Sequence, residues 1–234
     1  MPVTGQGAPP PLLCAPGLGL DHNAWRPTLR ALKVPEHEVE DAVAALPAYG
    51  TRPADTDDLR PAALGARLAE TRLRDVDIPR VLLGHSASCQ IVAHAARLFP
   101  ERVSTLVLVG PTTDPRGGSW PRIAERWLRT AGWERPAQVP VLARTYTRTG
   151  LLWMARAMDA ARREDVRSTL GSLDCPVLVV RGRHDRICPD DWAHELAAAA
   201  SAAGSATVSL ARGGHMVPLT HGELVAAEVR RFLR

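Results

Sequence analysis

The chain has 234 residues, 45% of them apolar and 23% charged, which suits one substantial soluble domain with room for an insert. Its net charge of +4 is carried by arginines scattered among acids (Arg67, Glu70, Arg72, Arg74, Asp75), with Lys33 the single lysine. There is no long basic block and no interleaving of aromatic with basic residues, so a nucleic-acid partner is not expected. In chain order, residues 12–15 read as a short buried strand ended by Pro16-Gly17. Residues 38–45 are ambiguous and close on the turn signal Leu46-Pro47-Ala48-Tyr49-Gly50. Residues 57–74 read as a helix capped by Asp57 or Asp58, with Pro61 in the first turn, where a missing N–H does no harm. Residues 81–84 read as a strand, 87–99 as a helix stopped by Pro100, and 103–109 as a strong strand ended by Gly110-Pro111. Later come a strand at 176–181, an alanine-rich helix at 190–203, a short strand at 206–210 and a terminal helix at 224–233. Strands alternating with helices predict a mostly parallel sheet covered on both faces.

Residues 112–172 break that rhythm. They hold four of the six tryptophans, Trp120, Trp127, Trp133 and Trp153, and their runs at 121–130, 140–147 and 151–163 look helical. An all-helical insert between two sheet strands is expected, with aromatics that anchor packing or line a substrate pocket. The four cysteines, Cys14, Cys89, Cys175 and Cys188, form no C-x-x-C pair. Read as buried free thiols, they point to a reducing compartment, so a cytoplasmic location is expected. Residues 1–11, rich in Pro and Gly, do not read as a signal peptide, and no apolar run approaches the ~20 residues of a membrane span.

The most informative segment is Gly84-His85-Ser86-Ala87-Ser88. An apolar run precedes it and an apolar-periodic run follows, which is strand, sharp turn and helix with a serine at the apex. Such a turn lifts the hydroxyl clear of the sheet edge, where a base and a substrate reach it. Small residues two before and two after the serine let strand and helix pass closely. Ser88 stands where the G-x-S-x-G pattern has its second glycine, and glycine there should preserve activity. A serine hydroxyl needs a base, and the base needs a group that fixes its tautomer. Val177-Leu178-Val179-Val180-Arg181-Gly182-Arg183-His184-Asp185 supplies an acid after a strand. Gly213-Gly214-His215 supplies a histidine after the last one. Asp190 and Asp191 read instead as helix caps, His221 as a surface or capping residue, and His184 as pointing away from the acid beside it. His85 is a candidate substrate contact. His184, Asp185 and His194 lack tight metal-ligand spacing, and Gly17-Leu18-Gly19 lacks the third glycine of a dinucleotide fingerprint, so neither a metal nor a nucleotide cofactor is expected.

The order Ser86, Asp185, His215, each in strand-to-loop context, resembles the α/β-hydrolase superfamily, of the single-domain type with a helical cap. The V-L-V-V-R-G-x-x-D-x-x-x-P block, the G-G-H block and the turn at residues 45–50 carry the resemblance. It implies an α/β-hydrolase core over residues 1–111 and 173–234 and a helical cap over 112–172. It implies a Ser86–His215–Asp185 triad and an oxyanion hole from the Leu18 and Ala87 N–H groups, although Pro16 replaces the usual histidine of that loop. Trp25, Trp120 and Trp153 join His85 as candidate substrate contacts. The implied function is hydrolysis of a small-molecule ester or related acyl substrate through an acyl-enzyme, without a cofactor. Thioesterases and acyltransferases acting on carrier-bound chains share such a triad, so an acyl-carrier partner stays open. So do carbon–carbon bond hydrolases, lyases and perhydrolases. A binding member of the fold without catalysis is the contrasting class. A serine at the elbow argues against the aspartate-nucleophile branches.

Overall fold

The computed structural model describes residues 11–200 and 204–234. The expectation for the N-terminal residues 1–10 and the end of the alanine-rich helix at 201–203 lie outside the described residues. Five strands form one parallel sheet in the order β1-β4-β5-β6-β7: β1 (Leu12–Ala15), β4 (Arg80–His85), β5 (Val103–Val109), β6 (Val177–Arg181) and β7 (Ala206–Ser209). Two further two-residue strands, β2 (Leu46–Pro47) and β3 (Gly50–Thr51), pair with each other. The fold is the α/β-hydrolase fold, with helices on both faces of the sheet. A parallel ladder buried on both faces needs apolar residues at odd and even positions alike. On β5, Leu106 and Leu108 enter a core with α2 (Pro61–Arg72), α3 (Ser88–Leu98) and α8 (Asp190–Ala199). Val107 and Val109 point the other way, into a core with α1 (Arg26–Ala31) and α10 (Gly222–Phe232).

Between β5 and β6 run α4 (Trp120–Ala131), α5 (Val139–Thr149), α6 (Leu151–Ala161) and the short α7 (Arg167–Leu170). The last short helix, α9 (Val217–Thr220), precedes α10. Because every pair in the five-stranded sheet is parallel, the loops after β1, β4, β5, β6 and β7 all leave from one edge. In open α/β sheets that carboxyl edge is where ligands bind. Among the described residues no helix is long and apolar enough to cross a membrane.

Several expectations need correction. The helix expected from residue 57 begins at Pro61, and no side chain caps it. Asp57 instead accepts from the Ala54 N–H at 2.8 Å and Asp58 from the Arg60 N–H at 2.9 Å, ordering the turn before the helix. Residues 38–45 form no extended element beyond a short turn at Glu36–Glu38 and one bridge between Cys14 and Val43. Asp190 and Asp191 are not caps: both sit in the first turn of α8, where acids oppose the helix dipole, and Pro189 takes the cap position. The short α1, α7 and α9 span too few turns to leave a periodic trace in the sequence.

Helices α2 and α3 cross at Gly65, where an added Cβ would lie 2.5 Å from His94 Cβ and 2.9 Å from the Ile91 carbonyl. Gly65→Val therefore wedges two packed helices apart. It should lower the unfolding free energy by about 3 kcal/mol, read as a drop in the urea midpoint at constant slope.

Candidate active site

The loop after β4 makes the elbow. Ser86 has φ of +60°, a left-handed conformation rare for a residue with a side chain. Two hydrogen bonds hold it there. The Ser86 N–H donates to the Val109 carbonyl at 2.9 Å, and its carbonyl accepts from the Cys89 N–H at 3.1 Å. Gly84 lets α3 pass against the strand: a Cβ there would lie 2.6 Å from Val92 Cγ2 and 2.9 Å from Cys89 Cα. Ser88 is fully buried at the start of α3. Its Oγ accepts from the His85 N–H at 2.9 Å and lies 2.9 Å from the Ala15 carbonyl at the end of β1. The serine in the glycine position thus ties the elbow to the neighbouring strand.

Ser86, Asp185 and His215 come together across 129 residues of chain. The Ser86 hydroxyl and His215 Nε2 are 2.9 Å apart, and His215 Nδ1 lies 2.8 Å from Asp185 Oδ2. An ionised carboxylate only accepts, so the neutral imidazole carries its proton on Nδ1 and offers Nε2 to the serine hydroxyl. Asp185 is fully buried, yet satisfied: Oδ1 takes the Ile187 and Cys188 N–H groups at 2.9 and 3.0 Å. Burial works against its charge, but the His215 charge and hydrogen bond and those two N–H groups outweigh it and hold the carboxyl below its ordinary range. Burial likewise disfavours the imidazolium, and Asp185, helped by Glu134, outweighs it and holds His215 above its ordinary value. Gly110, with φ of +55°, backs the pair: a Cβ there would lie 3.1 Å from both Asp185 Oδ2 and His215 Nδ1.

The Leu18 and Ala87 N–H groups donate to no protein acceptor among the described residues, whereas their neighbours Gly19, Leu20 and Ser86 all do. Gly19 donates to the Ala48 carbonyl at 2.8 Å, so the turn at 45–50 pins the loop that carries Leu18.

A cavity of about 370 Å³ opens over Ser86 and His215. One face of α4 (Trp120, Ile123, Ala124, Trp127) and one face of α6 (Leu151, Met154, Ala155, Met158) line it, and among the described residues no aspartate, glutamate, lysine or arginine does. Of the candidate contacts, Trp120 and His85 line this cavity, and Leu18 borders it. Trp25 and Trp153 do not. Trp25 is fully buried beneath the loop, donating its indole N–H to the Ala15 carbonyl at 3.0 Å with its ring edge toward His85. Trp153 packs on the core and under the Arg156 guanidinium. His85 is neutral: burial, then the nearby His215 charge, pushes its pKa down to about 3.

Sequence reasoning passed over Arg181 and Glu134, and it named Trp127 only among the tryptophans that anchor packing or line a pocket. Trp127 was legible, since it stands seven residues after Trp120 on one helix face, and Trp153 was excludable, since it lies off the 151–154–155–158 stripe. Arg181 is buried, donating to the Cys188 carbonyl at 2.8 Å and the Asp185 carbonyl at 2.9 Å, so it braces the acid-bearing loop. His184 turns away from Asp185 and stacks on Trp133 at 3.8 Å, and His221 takes the position before α10 without capping it.

A sequence profile of the alpha/beta hydrolase family matches residues 12–228. The chain belongs to that family. This chain is a hydrolase of that family. It is 26% identical, over 99% of its length and 97% of the other's, to the pimeloyl-[acyl-carrier protein] methyl ester esterase of Xanthomonas oryzae pv. oryzae (strain MAFF 311018). It is 28% identical to the protein of the same name from Stenotrophomonas maltophilia (strain K279a), over 99% of its own length and 95% of that protein's. Among solved structures, a hydrolase from Oleispira antarctica superimposes with a TM-score of 0.75 at 16% identity, covering 97% of this chain and 92% of that one.

Among the described residues the Ser88 hydroxyl bonds backbone groups alone, accepting the His85 N–H with the Ala15 and His85 carbonyls each 2.9 Å from its Oγ. Ser88→Gly should lower the unfolding free energy by about 1–3 kcal/mol, because the His85 N–H loses an acceptor and the helix start gains a glycine. Labelling of Ser86 by a fluorophosphonate should persist in that variant.

Proposed function

We propose that the protein is a serine esterase in which Ser86 is the nucleophile, His215 the general base and acid, and Asp185 the group that orients and charges the pair. The carrying observation is the unbroken chain of hydrogen bonds from the Ser86 hydroxyl through His215 to Asp185, at 2.9 and 2.8 Å. Ser86 Oγ attacks the ester carbonyl carbon while His215 Nε2 takes its proton. The carbonyl oxygen becomes an oxyanion, and the free Leu18 and Ala87 N–H groups are the donors for it. His215 then hands its proton to the leaving alcohol, and the acyl group stays on Ser86. A water deprotonated by His215 attacks that acyl-enzyme, and collapse frees the acid and regenerates the serine. In this reading residues 112–172 are a cap over the site.

The cavity's lining selects the substrate class. Its walls are aliphatic, aromatic and thioether, with no fixed ionic partner, so a charged group would lose its hydration there without compensation. An uncharged ester with an apolar chain fits. The curated relatives named above favour one form of it: a methyl ester on a chain tethered to an acyl carrier. Residues 112–172 carry eleven arginines against six acidic residues, a surface suited to an acidic carrier. Incubation with a carrier-bound acyl methyl ester separates the cases: methanol release with the thioester intact supports ester cleavage, and release of the carrier thiol instead supports a thioesterase.

Ser86→Ala should reduce p-nitrophenyl butyrate hydrolysis to the uncatalysed rate and abolish fluorophosphonate labelling, with unchanged thermal unfolding. Nitrophenol release by that variant at the wild-type rate would refute the reading. A protonated His215 cannot take the serine proton, so kcat/KM should be full above the His215 pKa and fall as pH drops through it. Because Asp185 raises that pKa, the fall should begin above an imidazole's ordinary range. In Asp185→Asn the midpoint should move to lower pH and kcat should drop about a thousandfold or more.

A further inference from the structure

We propose that Glu134, in the turn after α4, is a positioning residue for the base: it grips the loop that presents His215, so the helical segment is part of the catalytic frame as well as a wall of the cavity. The inference rests on the reading of His215 as the base. Glu134 Oε1 accepts the His215 N–H at 2.5 Å and the Met216 N–H at 2.9 Å. A carboxylate bridging two successive backbone N–H groups fixes the φ/ψ of the loop that aims the imidazole, and such charge-assisted bonds are the strong ones. The other oxygen, Oε2, takes the Gln138 side-chain N–H at 3.1 Å, so the carboxylate itself is oriented.

The same stretch of chain reaches the acid-bearing loop. Thr130 Oγ1 accepts the Arg186 N–H at 3.0 Å, and the Trp133 ring lies parallel on His184 at 3.8 Å. The edge of Trp127 meets the His215 ring with centroids 6.0 Å apart. A helical segment that merely covered the pocket would touch substrate and leave the two loops alone. This one bonds to both, on either side of the Asp185–His215 contact.

Gly214 shows what the arrangement demands of the sequence. A Cβ on it would lie 2.6 Å from Glu134 Oε1 and 2.9 Å from Glu134 Cδ. The glycine before His215 is therefore the space that the carboxylate occupies. The charged and titratable groups around His215 are Asp185, His85 and Glu134. Tyr146 lines the same cavity, with its phenol pushed up to about 12 by burial and by Glu134, while Arg135 faces His221 instead. Among these groups Glu134 is the second negative charge acting on His215, after Asp185, and it favours the imidazolium.

The test uses the full chain with p-nitrophenyl butyrate across a pH series. Glu134→Ala should lower kcat about 10- to 100-fold through misplacement of the base, with KM within about twofold of wild type. Glu134→Gln keeps a carbonyl acceptor and loses the charge. It should retain more of kcat, while the acid limb of kcat/KM moves to lower pH by about half a unit. Gly214→Ala should reproduce Glu134→Ala by displacing the carboxylate, and the two changes together should cost no more than either alone. Additive losses in the double variant, or an acid limb unmoved in Glu134→Gln, would overturn the inference even if Glu134→Ala failed to fold. Ser86→Ala runs alongside: if it is inactive while Glu134→Ala and Gly214→Ala keep wild-type kcat, this inference fails and the esterase reading stands. If Ser86→Ala is also active, the esterase reading itself fails.

Discussion

A carboxylate shut away from water must be compensated on every side, and Asp185 imposes that demand on the rest of this fold. An unpaired buried charge is worth several kcal/mol of destabilisation, so its partners cannot be optional. Two backbone N–H groups of its own loop meet one oxygen, and the His215 imidazole meets the other. Meeting those requirements dictates distant sequence. Arg181 braces the loop from the end of β6, and Gly110 must be a glycine because the paired side chains lie against it. Gly182 must be one too, since a Cβ would lie 2.1 Å from the Gly214 carbonyl of the histidine loop. The acid and base loops are further tied by the His184 N–H donating to the Gly213 carbonyl at 2.9 Å. Much of the carboxyl edge of the sheet is thus arranged around one buried pair.

The elbow solves a different problem with the same economy of space. Ser86 holds a strained backbone angle, and strain persists only where surroundings over-determine it. Here they do: β5 fixes its N–H, the first turn of α3 fixes its carbonyl, and the absence of a side chain at Gly84 lets the helix close in. Ser88 adds a hydroxyl that reaches β1, a contact that glycine in its place would lack.

Most of the sheet was legible because buried parallel strands are short, uniformly apolar and punctuated: β1 at 12–15 and β5 at 103–109 carry the bounds read from the residues. The candidate site was legible at three positions because its chemistry demands particular residue types after particular strands. What was not legible falls into two kinds. Short helices such as α1 and α9 are set by tertiary packing rather than by pattern. Contacts such as Glu134 to His215 join residues 81 apart, and nothing local in a Trp-Glu-Arg tripeptide announces a backbone clamp. Trp153 shows the opposite error: a large aromatic in the right segment suggested a lining residue, whereas helical phase, which the sequence does contain, turns it to the core.

In the proposed mechanism the cavity and the Asp185–His215 pair divide the electrostatic work between them. Asp185 and Glu134 are the negative charges that act on His215, and among the described residues no aspartate, glutamate, lysine or arginine lines the cavity in front of Ser86. That negative charge favours the imidazolium, the form His215 takes in the proposed reaction when it accepts the serine proton. In the proposed reaction the Leu18 and Ala87 N–H groups, which donate to no protein acceptor among the described residues, favour the oxyanion that forms at the same moment. A neutral ester brings no charge of its own to upset either. Under the proposed mechanism the arrangement stabilises charge separation that exists only during the reaction, and a carboxylate or ammonium near the scissile bond would forfeit that difference before any bond was broken.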